Sequence, residues 1–234
     1  MRWADLDSLN HVNNVVYLDY AAESRSLLVD DGHLDADLPI SRIAVDFVRP
    51  LLLSTRPVRV TSVREGDRLL QEIGAEGSDT TFARVATTYG PPATLERGRS
   101  TFAPYPLRTR RSDSQHRGHA STTKVFEYFQ EARVLLFTAL RRDDAGASRF
   151  VVGHVDVSYG APIPWRRDPY PIRSWISRIG DSSLTIDAEI ADHDAVYAHA
   201  TSVLVGFDMA TQKSRELEDR EKAVLAGFLP PESR

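Results

Sequence analysis

The chain has 234 residues, of which 41% are hydrophobic and 26% charged, an ordinary globular composition with room for two units of about 110 residues. The net charge of −4 lacks the basic excess of a nucleic-acid-binding protein, and the absence of cysteine excludes thiol nucleophiles, disulfides and thiolate metal sites. Because no apolar run approaches roughly 18 residues and no secretory pattern opens the chain, we expect a cytoplasmic protein without membrane contact.

The first predicted element is a helix preceded by an unusual group of polar residues. That group contains, in order, Asp5, Asp7, His11, Asn13, Asn14 and Tyr17. Apolar residues then recur near a period of 3.6, which predicts a helix over about 13–29 with Asn13 as its N-cap. A carboxylate just before a helix lies beside backbone N–H groups that have no intrahelical partner, an arrangement suited to acyl-transfer chemistry.

Four strands are predicted after this helix, and the same order then recurs. Runs rich in Val, Ile, Thr and Tyr, separated by turns with Gly and Asp, predict strands at about 41–49, 56–65, 69–76 and 80–90. A linker over 90–107 leads into an opening strand near 101–110. The second set comprises a helix at about 122–140 and strands at about 150–159, 171–179, 183–191 and 195–207. A helix followed by antiparallel strands is an α+β arrangement.

The recurrence extends to individual residues. An offset of 108 pairs Arg2 with Arg110, Asp5 with Asp113, His11 with His119 and Arg25 with Arg133. An offset of 114 later pairs Pro57 with Pro171, Gly66 with Gly180 and Thr87 with Thr201. Loop insertions in one copy produce an offset that grows in one direction, so we infer an internal repeat. The predicted units are residues 1–98 and residues 99–234, the second ending in a charged helical tail.

The opening segment resembles a family signature. Its residues Arg2-Trp3-Ala4-Asp5-Leu6-Asp7, His11-Val12-Asn13-Asn14 and Tyr17 follow the R-W-x-D-x-D-x-x-x-H-V-N-N-x-x-Y pattern of hotdog-fold acyl thioesterases of the 4-hydroxybenzoyl-CoA thioesterase-like group. The resemblance implies two tandem hotdog units, each a central helix wrapped by an antiparallel sheet, that form a pseudo-dimer within the chain. It also leaves open a homodimer of such double-hotdog chains.

The same resemblance implies a hydrolase that cleaves acyl-CoA to the free acid and CoA, with no cofactor or metal other than the CoA of the substrate. Asp7 would be the general base or the nucleophile, and the Asn14 N–H would polarise the thioester carbonyl. Asn13 and His11 are expected to help position these groups. Tyr17 is expected in the substrate pocket, although core packing explains it equally well.

The second copy departs from the signature at the decisive position. Gln115 stands where the first copy has Asp7, and an amide neither accepts a proton at neutral pH nor attacks a carbonyl. His119 is retained, whereas Val125 replaces Tyr17. We therefore predict a degenerate second site at Gln115 and His119, and one active site in each chain.

Two other functions stay open. Acyl-ACP thioesterases are also double-hotdog chains with a similar D-L-D-x-x-x-H-V-N-N stretch, but they have an asparagine where this chain has Leu9, and their motif lies in the second unit. A non-catalytic acyl-thioester binding module is the second alternative, since partial degeneracy fits a sensor. A hotdog dehydratase has less support, because no histidine here is followed by the proline and glycine of that motif.

Overall fold

The structure is a computed structural model that describes residues 1–7, 10–100, 102–114, 118–142, 150–208, 210–211 and 213–230, with only the backbone described for 139–142. The chain divides into two compact units, residues 1–93 and 94–234. Within the described ranges, no helix is both long and apolar enough to cross a membrane.

The first unit is one helix on a four-stranded antiparallel sheet. A 3₁₀ turn at Trp3–Asp5 precedes α1 (Val16–Asp30), and the strands are β1 (Ile40–Phe47), β2 (Val58–Glu65), β3 (Arg68–Ala75) and β4 (Thr81–Tyr89). The sheet order is β2-β3-β4-β1, and α1 packs against β2, β3 and β4. Its core is built from buried side chains that include Leu18, Ala21, Ile43, Ile73 and Val85.

The second unit repeats this plan and adds to it. It contains β5 (Tyr105–Leu107), a 3₁₀ turn at Arg111–Asp113, α2 (Thr122–Arg142), β6 (Phe150–Tyr159), β7 (Tyr170–Ile179), β8 (Ser183–Ala191), β9 (Val196–Asp208), β10 (Lys213–Ser214) and α3 (Asp219–Ala226). The antiparallel order is β6-β9-β8-β7-β5, with β10 beside β9. The predicted α+β order is confirmed, and the predicted strands agree with the observed ones within a few residues.

The structure corrects the alignment of the two copies in their last strands. The side chains of β4 that are buried beneath the helix include Val85 and Thr87, and those of β9 include Ala200 and Ser202. The offset in this strand is therefore 115 rather than 114, and Ser202 replaces Thr201 as the counterpart of Thr87. Gly66 and Gly180 still pair at an offset of 114, so the added residue lies between that position and the last strand. A shift by one residue moves a side chain to the other face of a sheet.

The predicted linker is attached to the second unit over part of its length. Glu189 is fully buried, and its carboxylate accepts the Gly98 N–H at 2.8 Å and an Arg173 N–H at 3.0 Å. A Cβ on Gly98 would lie 2.0 Å from the Trp175 ring, so only glycine fits there. The Ser100 hydroxyl donates to the backbone carbonyl of Ser174 at 2.6 Å. Residues 98–100 are thus held against β7 and β8.

The charged tail is anchored as well. Its helix α3 contributes Leu225 to a buried cluster that includes Leu136, Ile176 and Leu184, and Val224 and Phe228 pack against this cluster. Within the charged run, the Glu221 carboxylate accepts two hydrogen bonds from Arg215 at 2.7 and 2.8 Å.

Candidate active site

Asp7 lies in a tight turn that the main chain closes before α1. Leu6 and Val12 form an antiparallel bridge, and the Asp7 N–H donates to the His11 carbonyl oxygen at 2.7 Å. Asn10 has a φ of 58°, in the left-handed region that asparagine tolerates better than most residues. These contacts place Asp7 opposite His11, so the structure brings two of the predicted site residues together.

The Asp7 carboxylate is oriented by a backbone group. Its Oδ1 accepts a hydrogen bond from the His11 N–H at 3.1 Å. His11 is in turn held by an antiparallel bridge to Leu52. The contact that His11 makes with this carboxylate therefore comes from its backbone and not from its imidazole. Asp7 is half-buried, so its carboxylate combines a fixed orientation with access to solvent.

Asp5 has a different environment from Asp7. Its side chain is buried, and Oδ2 accepts the Arg2 N–H at 2.6 Å and the Tyr20 hydroxyl at 3.2 Å. Its carbonyl oxygen accepts the Asn13 N–H at 2.8 Å. Burial, followed by the Asp5 charge, raises the pKa of Tyr20 well above its usual range. The hydrogen bonds of Asp5 therefore hold the turn against α1, and we assign this residue a structural role.

The helix does not begin as the sequence predicts. Asn13 Oδ1 accepts the Val15 N–H at 3.2 Å, and the Asn13 carbonyl accepts the Val16 N–H at 2.9 Å. This tighter turn delays the start of α1 to Val16, three residues after the predicted start at residue 13. Among the described residues, the Asn14 N–H has no hydrogen-bond acceptor. The helix start thus leaves a backbone donor at the position that the family resemblance assigns to the thioester carbonyl.

Tyr17 is buried in the first turn of α1, with 2% of its surface exposed. Its hydroxyl oxygen accepts the Leu51 N–H at 3.0 Å, and the Leu51 carbonyl accepts the Val12 N–H at 2.8 Å. An edge-on contact with Phe47 fixes the ring plane. Burial raises the pKa of Tyr17 to about 12; the Leu51 N–H opposes this rise and the charge of Asp7 adds to it. The phenol is therefore neutral at physiological pH and lies within the electrostatic influence of Asp7.

The second unit repeats the hydrogen bonds by which Asp5 holds the first turn. The Asp113 carboxylate accepts the Arg110 N–H at 2.7 Å and the Tyr128 hydroxyl at 2.8 Å. Gly118 adopts a φ of 75° at the position that corresponds to Asn10 in the first turn. The same three features therefore build both turns.

The helix that follows this second turn begins differently. The Ser121 hydroxyl accepts the Lys124 N–H at 3.2 Å, and the Ser121 carbonyl accepts the Val125 N–H at 3.1 Å, which is a regular α-helical start. His119 is bridged to Pro164, as His11 is to Leu52. Gln115, the predicted counterpart of Asp7, lies outside the described residues.

Among the described residues, one group of side chains could share a metal ion: Asp192, His193 and Asp194, in the turn between β8 and β9. The Asp192 carboxylate is already occupied by Arg166 at 2.6 Å and the Tyr197 hydroxyl at 3.1 Å. These contacts explain the conformation of the turn, so we assign no metal to it.

Comparison with known families identifies the class of this protein. The model of the thioesterase-like superfamily matches residues 110–226, half of the chain, and the chain belongs to that superfamily. It is accordingly a thioester hydrolase. A model of the acyl-ACP thioesterase C-terminal domain matches residues 1–67, which include the Asp7 turn. No curated protein sequence matches the chain.

Solved structures support the same fold. The chain is similar to a putative oleoyl thioesterase from Lactobacillus plantarum, with a TM-score of 0.67 and 13% identity over 89% of this chain and 94% of that chain. It is also similar to the 12:0-ACP thioesterase from Umbellularia californica, with a TM-score of 0.68 and 11% identity over 88% and 91% of the two chains. An acyl-ACP thioesterase from Bacteroides thetaiotaomicron matches with a TM-score of 0.58 and 11% identity over 86% and 93%. At these identities the similarity shows the fold, two tandem hotdog units.

Proposed function

We propose that this thioester hydrolase cleaves acyl-CoA to the free acid and CoA, and that Asp7 is its catalytic carboxylate. The observation that carries the proposal is the pairing of two groups at one helix start. A half-buried carboxylate, oriented by the His11 N–H, lies in the turn that leads directly to the Asn14 N–H, a donor with no acceptor in the described part of the chain. Hydrolysis of a thioester needs both a base or nucleophile and a donor for the oxyanion.

In the proposed reaction, Asp7 accepts a proton from water while the water oxygen bonds to the thioester carbon. The negative charge that develops on the carbonyl oxygen is stabilised by the Asn14 N–H, and a donor in such a position contributes about 10² to 10³ in rate. The C–S bond then breaks, and the CoA thiolate takes up the proton from Asp7. If Asp7 attacks directly, water instead hydrolyses the resulting acyl-enzyme anhydride.

The neighbouring residues support these two groups. Asn13 fixes the tight turn in which the Asn14 N–H finds no partner within the described ranges. The His11 N–H orients the Asp7 carboxylate. CoA takes part only as the leaving group of the substrate, and the mechanism requires no cofactor or metal.

We propose a single active site in each chain. The substitution of Gln115 for Asp7 removes the base or nucleophile, and that of Val125 for Tyr17 removes a hydroxyl. His119 keeps its place because its bridge to Pro164 belongs to the structure of the turn. Gln115 and His119 would then mark a degenerate site.

Acyl-ACP is the second candidate substrate. The acyl-ACP thioesterase model matches residues 1–67, the part of the chain that contains the proposed site. The preference for CoA comes from the resemblance of the motif and from Leu9, which replaces the asparagine of the acyl-ACP family. Membership of a thioesterase superfamily argues against the third alternative, a non-catalytic binding module.

The test is thiol release from short, long and aromatic acyl-CoAs and from matching acyl-ACPs, for the wild type, Asp7→Asn and Gln115→Ala. The chain contains no cysteine, so a thiol reagent has no background from the enzyme. We expect Asp7→Asn to lower kcat by about 10³-fold, and Gln115→Ala to retain wild-type activity.

Full activity of Asp7→Asn would refute the assignment of Asp7. Turnover of ACP esters alone would replace CoA with ACP as the carrier. Loss of activity in Gln115→Ala would contradict the single-site proposal.

A further inference from the structure

Tyr17 occupies an unusual position between the Asp7 turn and the loop after β1. The two backbone groups of Leu51 bond to different parts of the motif: its N–H to the Tyr17 hydroxyl oxygen at 3.0 Å, and its carbonyl to the Val12 N–H at 2.8 Å. The phenol is therefore held on one side by the backbone of Leu51. Its ring is fixed by edge-on contacts with Phe47 and Tyr20.

The bond from Leu51 leaves the Tyr17 hydroxyl free to act as a hydrogen-bond donor. A phenol oxygen that accepts an N–H still has its own proton to donate. Among the described residues, no side chain or backbone group accepts that proton. A buried donor without a partner costs about 1 to 3 kcal/mol, so a hydroxyl retained at this point needs an acceptor in the working enzyme. The backbone places this hydroxyl beside the Asp7 turn, because Leu51 bonds both Tyr17 and Val12, and Val12 is bridged to Leu6, the residue before Asp7. The raised pKa of Tyr17, caused by burial and then by the Asp7 charge, keeps the proton in place.

The second unit shows that packing alone does not require this hydroxyl. Val125 occupies the corresponding position on α2 and is also buried, with 3% of its surface exposed. An apolar side chain thus satisfies the fold in the copy whose sequence lacks the catalytic carboxylate. The hydroxyl occurs in the copy that has Asp7.

We propose that Tyr17 is a catalytic residue whose hydroxyl donates a hydrogen bond to the water that Asp7 activates. This inference rests on the proposed function of Asp7. The water would accept the Tyr17 proton in a hydrogen bond and donate one of its own protons to the carboxylate, which directs a remaining lone pair at the thioester carbon. During the step, the water oxygen bonds to carbon and its proton passes to Asp7. Tyr17 keeps its proton throughout.

The test is a double-mutant cycle with Tyr17→Phe and Asp7→Asn, measured by thiol release. Single turnovers with enzyme in excess make the slow variants measurable. Tyr17→Phe retains the ring, and we expect it to lower kcat by about 10- to 100-fold because the water loses its orientation, while KM changes by less than about twofold. In the Asp7→Asn background, Tyr17→Phe should cause almost no further loss, since both residues act on the same water.

Tyr20→Phe is the matched control. It removes a hydroxyl from the same helix, one that donates to the structural carboxylate Asp5 at 3.2 Å. Both variants leave a buried polar group without its partner, so both should lower the melting temperature. Only Tyr17→Phe should lower kcat by more than about twofold.

The outcomes separate the inference from the function on which it rests. If Asp7→Asn keeps wild-type activity, the proposed function itself is wrong. If Asp7→Asn is impaired but Tyr17→Phe causes the same fold-loss in both backgrounds, Tyr17 acts independently of the water and the inference is overturned. An equal loss of kcat in Tyr20→Phe would also overturn it, because the effect would then be structural.

Discussion

The turn before α1 and the turn before α2 are held by the same kind of hydrogen bonds, and they differ in how the following helix begins. In both, an aspartate accepts a backbone N–H from three residues before it and a tyrosine hydroxyl from the following helix, as Asp5 and Asp113 show. After the first turn, Asn13 tightens the chain and leaves the Asn14 N–H without an acceptor among the described residues. After the second, Ser121 caps a regular helix. The shared contacts maintain the fold, and the contacts confined to the first turn are those that the proposed chemistry uses.

A second difference lies beneath the two helices. Arg25 and Arg133 are both buried, at corresponding positions of α1 and α2. Arg25 donates to Gln71 at 3.3 Å and to Thr87 at 3.4 Å. Arg133 donates to Ser202 at 3.2 Å, its one hydrogen-bond acceptor within the described ranges. The second unit has thus kept the buried charge but lost part of the polar surroundings that make it tolerable.

The largest expected change in stability comes from removing the aspartate that holds each turn. Asp5→Ala removes a buried acceptor and leaves the Tyr20 hydroxyl and the Arg2 N–H without a partner, so we expect a loss of about 3 kcal/mol in the free energy of unfolding. Asp113→Ala removes the same contacts at a more exposed site and should cost about 1 to 2 kcal/mol. Chemical denaturation measures both losses. Equal losses would show that burial does not distinguish the two turns.

The buried arginines should respond in opposite directions. Arg25→Met leaves the acceptors of Gln71 and Thr87 unpaired and should destabilise the protein by about 2 kcal/mol. Arg133→Met replaces a poorly paired buried charge with an apolar side chain of similar length and should stabilise it by about 1 kcal/mol. Thermal and chemical denaturation at pH 7 check the two signs. Destabilisation by both variants would mean that Arg133 has adequate partners.

The buried charge of Arg133 also makes the stability of the protein depend on pH. Burial lowers the pKa of Arg133 to about 10 from a reference value of 12.5. Between these two values the unfolded chain binds more protons than the folded one, so stability rises with pH. The penalty from Arg133 is therefore complete below pH 10 and is relieved above it. The difference in free energy of unfolding between Arg133→Met and the wild type should shrink as the pH rises above 10. A difference that stays constant would contradict the lowered pKa of Arg133.

The smallest effect on stability separates the two helix starts most directly. Asn13→Ala and Ser121→Ala each remove one capping hydrogen bond and should each cost about 1 kcal/mol. Only Asn13→Ala disturbs the turn that exposes the Asn14 N–H, so only this variant should also lower kcat, by about tenfold. Thiol release and melting curves on the same preparations provide the comparison. A comparable loss of kcat in Ser121→Ala would remove the functional distinction between the two helix starts.

Sequence patterns predicted the elements well because they record side-chain periodicity. The helix from residue 122 and all eight main strands follow from the alternation of apolar residues. The start of α1 was misplaced because a side-chain pattern does not distinguish an asparagine that tightens a preceding turn from one that caps a helix. The pairing of Thr87 with Thr201 was wrong because a single added residue changes the face of a strand without changing its composition.

The candidate site was predictable only in part, and for a related reason. The motif indicates Asp7, His11, Asn14 and Tyr17 because their residue types and spacing form a recognisable pattern. The sequence carries no signal for Leu51, although this residue joins Tyr17 to Val12, because both contacts are made by its backbone. No side-chain pattern records a backbone contact over such a separation in sequence.

The backbone construction of the Asp7 turn has a consequence for engineering. The groups that hold Asp7 and Tyr17 are the N–H groups of His11 and Leu51, which every amino acid except proline supplies. The adjacent Leu52 and Leu53 expose 57% and 48% of their surfaces. Side chains beside the proposed reacting groups can therefore be randomised while the hydrogen bonds that set the geometry stay in place. The first unit is thus a scaffold in which selection for new acyl groups need not disturb catalysis.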